Sequence, residues 1–329
     1  MSARAWLLAG LLVSGCSEPR TWEPAFDASE TGWLMSVWGS SGHDVWSVGG
    51  APTAGVVMHY DGTRWSERPT GLEVPLLDWV YGFGPDDVWV VGRTGTILHW
   101  DGAAFSEENA GTTEDLWGIW GSAPSDLWAV GGSGFPEATA TLLHRDAAGW
   151  STVTLPPLMR AEVHGLFKVW GSSANDVWVV GQRGAVLHFD GTRWNEELVG
   201  TGEDLISVWG TGPDHVAFVG GRGNGVLITW DGATFRRVPL DFLPGLNGVW
   251  MGDPDVIHVA GVYGTLLDVA FADGAVVRDD SNFEPLDYHA IFGTPSGGDA
   301  HLFTVGGNLG SPTGPFHGIA STRARGSDE

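Results

Sequence analysis

The chain has 329 residues, 51 of them glycine and 19 tryptophan, with one lysine, Lys168, and a formal charge of −24. That charge argues against a nucleic-acid partner, because phosphate binding needs clustered Lys and Arg to release counterions, and any charged partner should be cationic. Many glycines and tryptophans point to an all-β chain with frequent turns around an aromatic-rich core; the single cysteine, Cys16, excludes an intrachain disulfide and a thiolate metal cluster.

Residues 1–15 have the order of a secretory signal: Arg4, an apolar run from Ala5 to Val13, then the small residues Ser14 and Gly15. The run is too short to span a bilayer, which takes about 20 apolar residues. Val13, Ser14, Gly15 and Cys16 resemble the lipobox of bacterial lipoproteins. The resemblance implies that Cys16 is lipidated and becomes the mature N-terminus, and that Ser17 sorts the protein to the outer membrane. Acyl chains on one cysteine would hold the chain at a membrane surface, since each buried methylene contributes about 0.8 kcal/mol. Residues 16–21 then form the lipidated end and a short linker.

From residue 22 onward a unit recurs, clearest in VWGSSGHDVWSVGG and VWGSSANDVWVVGQRGAVLHFDGTRW. Its opening aromatic falls at Trp38, Tyr81, Trp120, Trp170, Trp209, Trp250 and Phe292, at intervals of 43, 39, 50, 39, 41 and 42 residues. Seven units of that length, without a helical apolar period, predict the blades of a β-propeller. Four strands are expected per unit; in the first they cover Leu34 to Trp38, Val45 to Val48, Val56 to Tyr60 and Arg64 to Glu67. Asp61-Gly62, Asp101-Gly102, Asp190-Gly191 and Asp231-Gly232 suit the tight turn between third and fourth strands. The seventh unit stops after its third strand, so the fourth must come from the start of the mature chain. Residues 22–25 should pair with it, removing an open sheet edge. The expectation is a seven-bladed, all-β propeller of four-stranded antiparallel blades over 22–320, with a disordered tail at 321–329.

The units DVWVVGRTGTILHWDGAAF and DVWVVGQRGAVLHFDGTRW resemble the Asp-box-like and photosystem-assembly-factor-like propeller repeats of bacterial surface proteins. The resemblance implies the architecture and leaves activity open, because propellers host many functions. It departs from Asp boxes where His59 and His99 replace a Ser or Thr.

Features present in several blades are read as blade-building. Trp46, Trp89, Trp128 and Trp178 should pack between sheets, and Asp44, Asp87, Asp126 and Asp176 should cap turns through backbone N–H groups. His59, His99, His144 and His188 fall on third strands of different blades, roughly 15 Å apart from the ~4.8 Å strand spacing, too far to share a metal. No metal and no cofactor are expected.

Variation between units marks the face where second-to-third-strand loops and blade-to-blade connections emerge. Arg93, Arg183, Arg222 and Tyr263 are the loop candidates for ligand binding, with Glu114, Asp115, Glu203 and Asp204 in the connections. Their arrangement suits a pocket where a few polar groups orient a ligand. No nucleophile–base signature is present, so the expected function is non-catalytic: a monomeric propeller displayed by its lipid anchor, recognising a protein or polysaccharide. The alternatives are a sialidase-like glycoside hydrolase, built on the loop arginines and Tyr263, or an assembly factor for an envelope complex.

Overall fold

Each unit alternates apolar and small residues over short runs, so its strands bury one face against the next unit. The structure, a computed structural model, describes residues 21–325 except 134, 136, 137, 161, 283, 284 and 296–299. The expected signal segment and Cys16 lie outside these residues. The described residues form seven four-stranded antiparallel sheets, the seven blades expected. In blade 1 the strands are Trp33–Ser41, Asp44–Ala51, Ala54–Tyr60 and Trp65–Glu67, each bonded to the next.

Ring closure follows the expected route. Glu23–Pro24 is the fourth strand of blade 7 and pairs with Gly318–Ala324 in the register Glu23 to Thr322 and Pro24 to Ser321. The Ala25 N–H donates to the Ala320 carbonyl at 2.9 Å. The boundary at 320 is corrected: the third strand continues to Ala324, because residues 321 and 322 are the ones the N-terminal strand needs. Arg323 is only 1% exposed and holds the seam, reaching Asp268 at 2.8 Å and Asp280 at 3.1 Å. The Trp22 indole also donates to Asp280.

The repeated aspartates are not turn caps of the kind expected. Asp44 takes bonds from the side chains of Ser40, Trp46 and His59, and the Trp46 and His59 rings lie 4.1 Å apart. Burial pushes the Asp44 carboxyl up, but His59 and Ser40 outweigh it and hold it below the usual carboxylate range. Asp87 with Trp89 and His99, and Asp176 with Ser172 and His188, repeat the arrangement. Turn capping falls to the aspartates of the Asp-Gly pairs instead. Asp61 Oδ1 accepts the N–H groups of Thr63 and Arg64, while Gly62 takes the positive φ of 89°.

Blade 6 departs from this pattern. His258 replaces the tryptophan and Asp268 the histidine, bonded at 2.6 Å. That exchange creates the carboxylate that receives Arg323, so the blade next to the seam is charged where blades 1 to 4 are aromatic.

Candidate functional site

The innermost strand of every blade runs along the central channel and carries a bulge at one position, three residues before the opening aromatic. The register slips there in all seven blades, at Met35, Asp78, Trp117, Phe167, Ile206, Asn247 and His289. A bulge re-aims the extra side chain out of the sheet alternation. Six of these residues, all but Asp78, line one cavity of about 580 Å³. That volume is in the range of small-molecule and anchor-residue pockets, about 300–1,000 Å³.

The opposite end of the channel is narrowed by the opening aromatics, which line a smaller hollow of about 330 Å³. Trp209 of blade 5 touches Phe292 of blade 7 with ring centroids 5.8 Å apart, and Trp38 and Trp250 reach the same phenyl ring at 6.5 and 6.0 Å. The contact between blades 5 and 7, which are not neighbours, puts rings across the axis. The Tyr81 hydroxyl donates to the Gly121 carbonyl at 2.8 Å, tying blade 2 to blade 3. The channel is therefore a blind funnel, with an aromatic floor and an open mouth on the loop face.

A charged cluster sits in the wall of the mouth. Asp78 is 1% exposed, and its Oδ2 lies 3.0 Å from Arg93 Nε, off the line of a hydrogen bond, so the pairing is mainly coulombic. Arg93 also donates to Asp115 at 2.8 Å and lies 4.1 Å over the Trp117 ring. Burial pushes the Asp78 carboxyl up to about 7 against the pull of Arg93. Lys168 reaches from blade 4 past blade 3, puts its amine 3.1 Å from the centre of the Trp79 ring and donates to the Trp117 carbonyl at 3.0 Å. Gly118 makes room for this crossing: a Cβ there would meet the Lys168 Cα at 3.1 Å. Burial holds the Lys168 amine well below its ordinary range, with Asp78 opposing the shift. His289 donates from Nδ1 to the Met35 carbonyl at 2.6 Å, and burial beside Lys168 lowers it to about 4. At neutral pH it is an uncharged ring on the cavity wall.

The loop candidates separate into three groups. Arg93, Asp115 and Arg222 line the main cavity, and Tyr263 lies with Arg222 and Asp287 in an adjoining hollow of about 290 Å³. Arg183 lines neither; its guanidinium pairs with Glu162 at 2.8 Å. The connection aspartates clamp loop tips. Asp115, Asp204 and Asp287 accept the backbone N–H of Thr94, Arg183 and Tyr263, the residues forced to positive φ at those tips. Glu114 accepts the Thr139 N–H, and Glu203 is exposed in the connection between blades 4 and 5. The three arginines do not share one pocket beside Tyr263, and Arg222 is itself bonded to Asp204 at 3.0 Å, so the arrangement a sialidase-like reading needs is not formed.

Sequence reasoning missed the bulge ring. Its signal was available: three residues before each opening aromatic the seven units carry seven different residues, between positions that repeat.

No family model matches the chain, and no curated protein matches it. Solved structures do. YCF48 bound to D1 peptide is 16% identical, with a TM-score of 0.66 over 94% of this chain and 99% of that one. YCF48 from Cyanidioschyzon merolae is 15% identical, with a TM-score of 0.68 over 92% and 99%. The WD40 β-propeller domain of Doa1 is 8% identical, with a TM-score of 0.69 over 94% and 98%. At these identities the likeness is one of fold: the chain is built as those propellers are.

Proposed function

We propose that the chain is a non-catalytic recognition propeller, held at the cell envelope by a lipid on Cys16, that binds its partner over the mouth of the blind funnel. The observation that carries this reading is the bulge ring. Seven equivalent backbone positions carry seven different side chains, six of which line one cavity, whereas the same strands repeat aromatics at the floor. Repetition serves the scaffold, and departure from it serves a specific ligand. A protein segment is favoured over a polysaccharide by the largely apolar wall of Trp117, Phe167, Ile206 and Met35, which suits an inserted apolar side chain. The solved complex of a similar propeller with a peptide supports the same choice.

The test is selection from displayed peptide and glycan libraries on the purified chain, repeated with Ile206→Ser and Asn247→Ala. Peptides whose binding weakens about tenfold or more in both variants are the expected result. Glycan turnover, or binders indifferent to both substitutions, would overturn it. In cells, Cys16→Ser should move the protein from the membrane fraction to the soluble one.

A further inference from the structure

The exposed apolar side chains are not scattered. Among the described residues eight large ones are exposed, and six stand on the loop face: Leu72, Phe135, Met159, Leu198, Phe242 and Tyr263. Five of the six belong to an arc from blade 3 to blade 6, with Met159 71%, Leu198 57% and Phe242 83% exposed in three successive connections. Clustered exposure of this kind marks interaction surfaces. The arc meets the cavity at Phe135, which lines it together with Trp117, Phe167 and Ile206, the bulge residues of blades 3, 4 and 5.

Charge on the arc is mainly negative. Glu197 precedes Leu198, Asp241 precedes Phe242, and Glu203 lies in the same connection as Leu198. None of the three carboxylates has a cationic partner among the described residues. Of the arginines nearby, Arg183 is paired with Glu162 and Arg222 with Asp204, while Arg160 donates to the Arg183 carbonyl and keeps its charge, so the three carboxylates outnumber it. Two such faces brought together would oppose like charges, and anionic lipid headgroups would be repelled in the same way.

We propose that the arc of blades 3 to 6 docks a polypeptide segment in which basic and apolar side chains alternate, its apolar anchor entering the cavity beside Phe167 and Ile206. The proposal rests on the recognition reading above and adds the chemistry and the position of the partner. Basic side chains pair with Glu197, Glu203 and Asp241, and apolar ones cover Met159, Leu198 and Phe242.

Three short synthetic peptides test it by fluorescence polarisation: one with Lys and Phe alternating between Gly-Ser spacers, one with Glu in place of Lys, and one with Ser in place of Phe. Each is titrated against the wild-type chain, the triple variant Met159→Ser, Leu198→Ser and Phe242→Ser, and Leu72→Ser outside the arc. The Lys-Phe peptide should bind the wild type and Leu72→Ser alike and the triple variant about tenfold more weakly or less; the other two peptides should bind the wild type about tenfold more weakly. Equal affinity for wild type and triple variant would overturn the proposal, showing only attraction of cations to an acidic chain. Adhesion to phosphatidylcholine vesicles, or self-association in the ultracentrifuge, that the triple variant abolishes would reassign the arc to lipid or to a second copy. Tight binding of the Glu peptide that depends on Ile206 would remove the partner chemistry and leave recognition at the mouth standing.

Discussion

Asn247 and Trp250 lie three residues apart on one strand, yet they belong to ends of the channel that obey opposite rules. At the floor the residue is aromatic in every blade, and the rings of Trp38, Trp209, Trp250 and Phe292 pack across the axis. At the mouth a bulge turns out a side chain that is different in each blade, and polar or charged residues sit among apolar ones. The floor can repeat because ring packing asks only for area and shape. The mouth need not repeat, since its side chains face a cavity and not one another.

Paired substitutions on that strand test the contrast most strongly. Trp250 is 4% exposed, and Trp250→Ala should cost about 3–5 kcal/mol in urea unfolding, the usual loss for a buried aromatic. Asn247→Ala removes the bond from Nδ2 to the Tyr288 carbonyl and should cost only about 1 kcal/mol. Similar losses at both positions would mean that the mouth is scaffold as well.

A smaller effect separates the two ends by pH. The Asp78 carboxyl is raised to about 7 in the folded chain, whereas an unfolded aspartate titrates near 3.9. Between those values the folded state holds a proton that the unfolded state has released, so this group's contribution to stability is complete below about pH 4 and declines as pH rises toward 7. Asp78→Asn cannot titrate. Its deficit relative to wild type should therefore shrink from pH 5 to pH 8 in parallel urea titrations; a deficit that stays constant or grows would contradict the burial of Asp78 in ionisable form. Asp44 and Asp176 have the opposite sign, being held below their ordinary range, so their contribution is lost as pH falls through the acid region.

The fold was legible because its signals repeat. Opening aromatics at intervals of 39 to 50 residues and Asp-Gly pairs specify blades, and the truncated seventh unit specifies how the ring closes. The aspartate hubs were only half legible: spacing placed Asp44 near a turn, but its bonds to Trp46 and His59 come from strand pairing, which sets residues 46 and 59 opposite each other. The loop arginines were seen individually, while their carboxylate partners lie 18 to 22 residues away in blade-to-blade connections, Asp115 after Arg93 but Glu162 and Asp204 before Arg183 and Arg222, and could not be assigned from local sequence. The mouth ring was hidden because a bulge breaks the two-residue alternation by which inward-facing residues are recognised.

The larger cavity lies at the mouth and not at the aromatic end, and the indole signals of a ¹⁵N-labelled sample read which of the two takes a ligand. Trp117 at the mouth and Trp120 at the floor share one strand. In a titration with small aromatic fragments, assigned through Trp→Phe variants, the Trp117 resonance should move and the Trp120 resonance should stay. Displacement of Trp120 with Trp117 unmoved would contradict recognition at the mouth, since the ligand-accepting cavity would then lie at the repeated aromatic end.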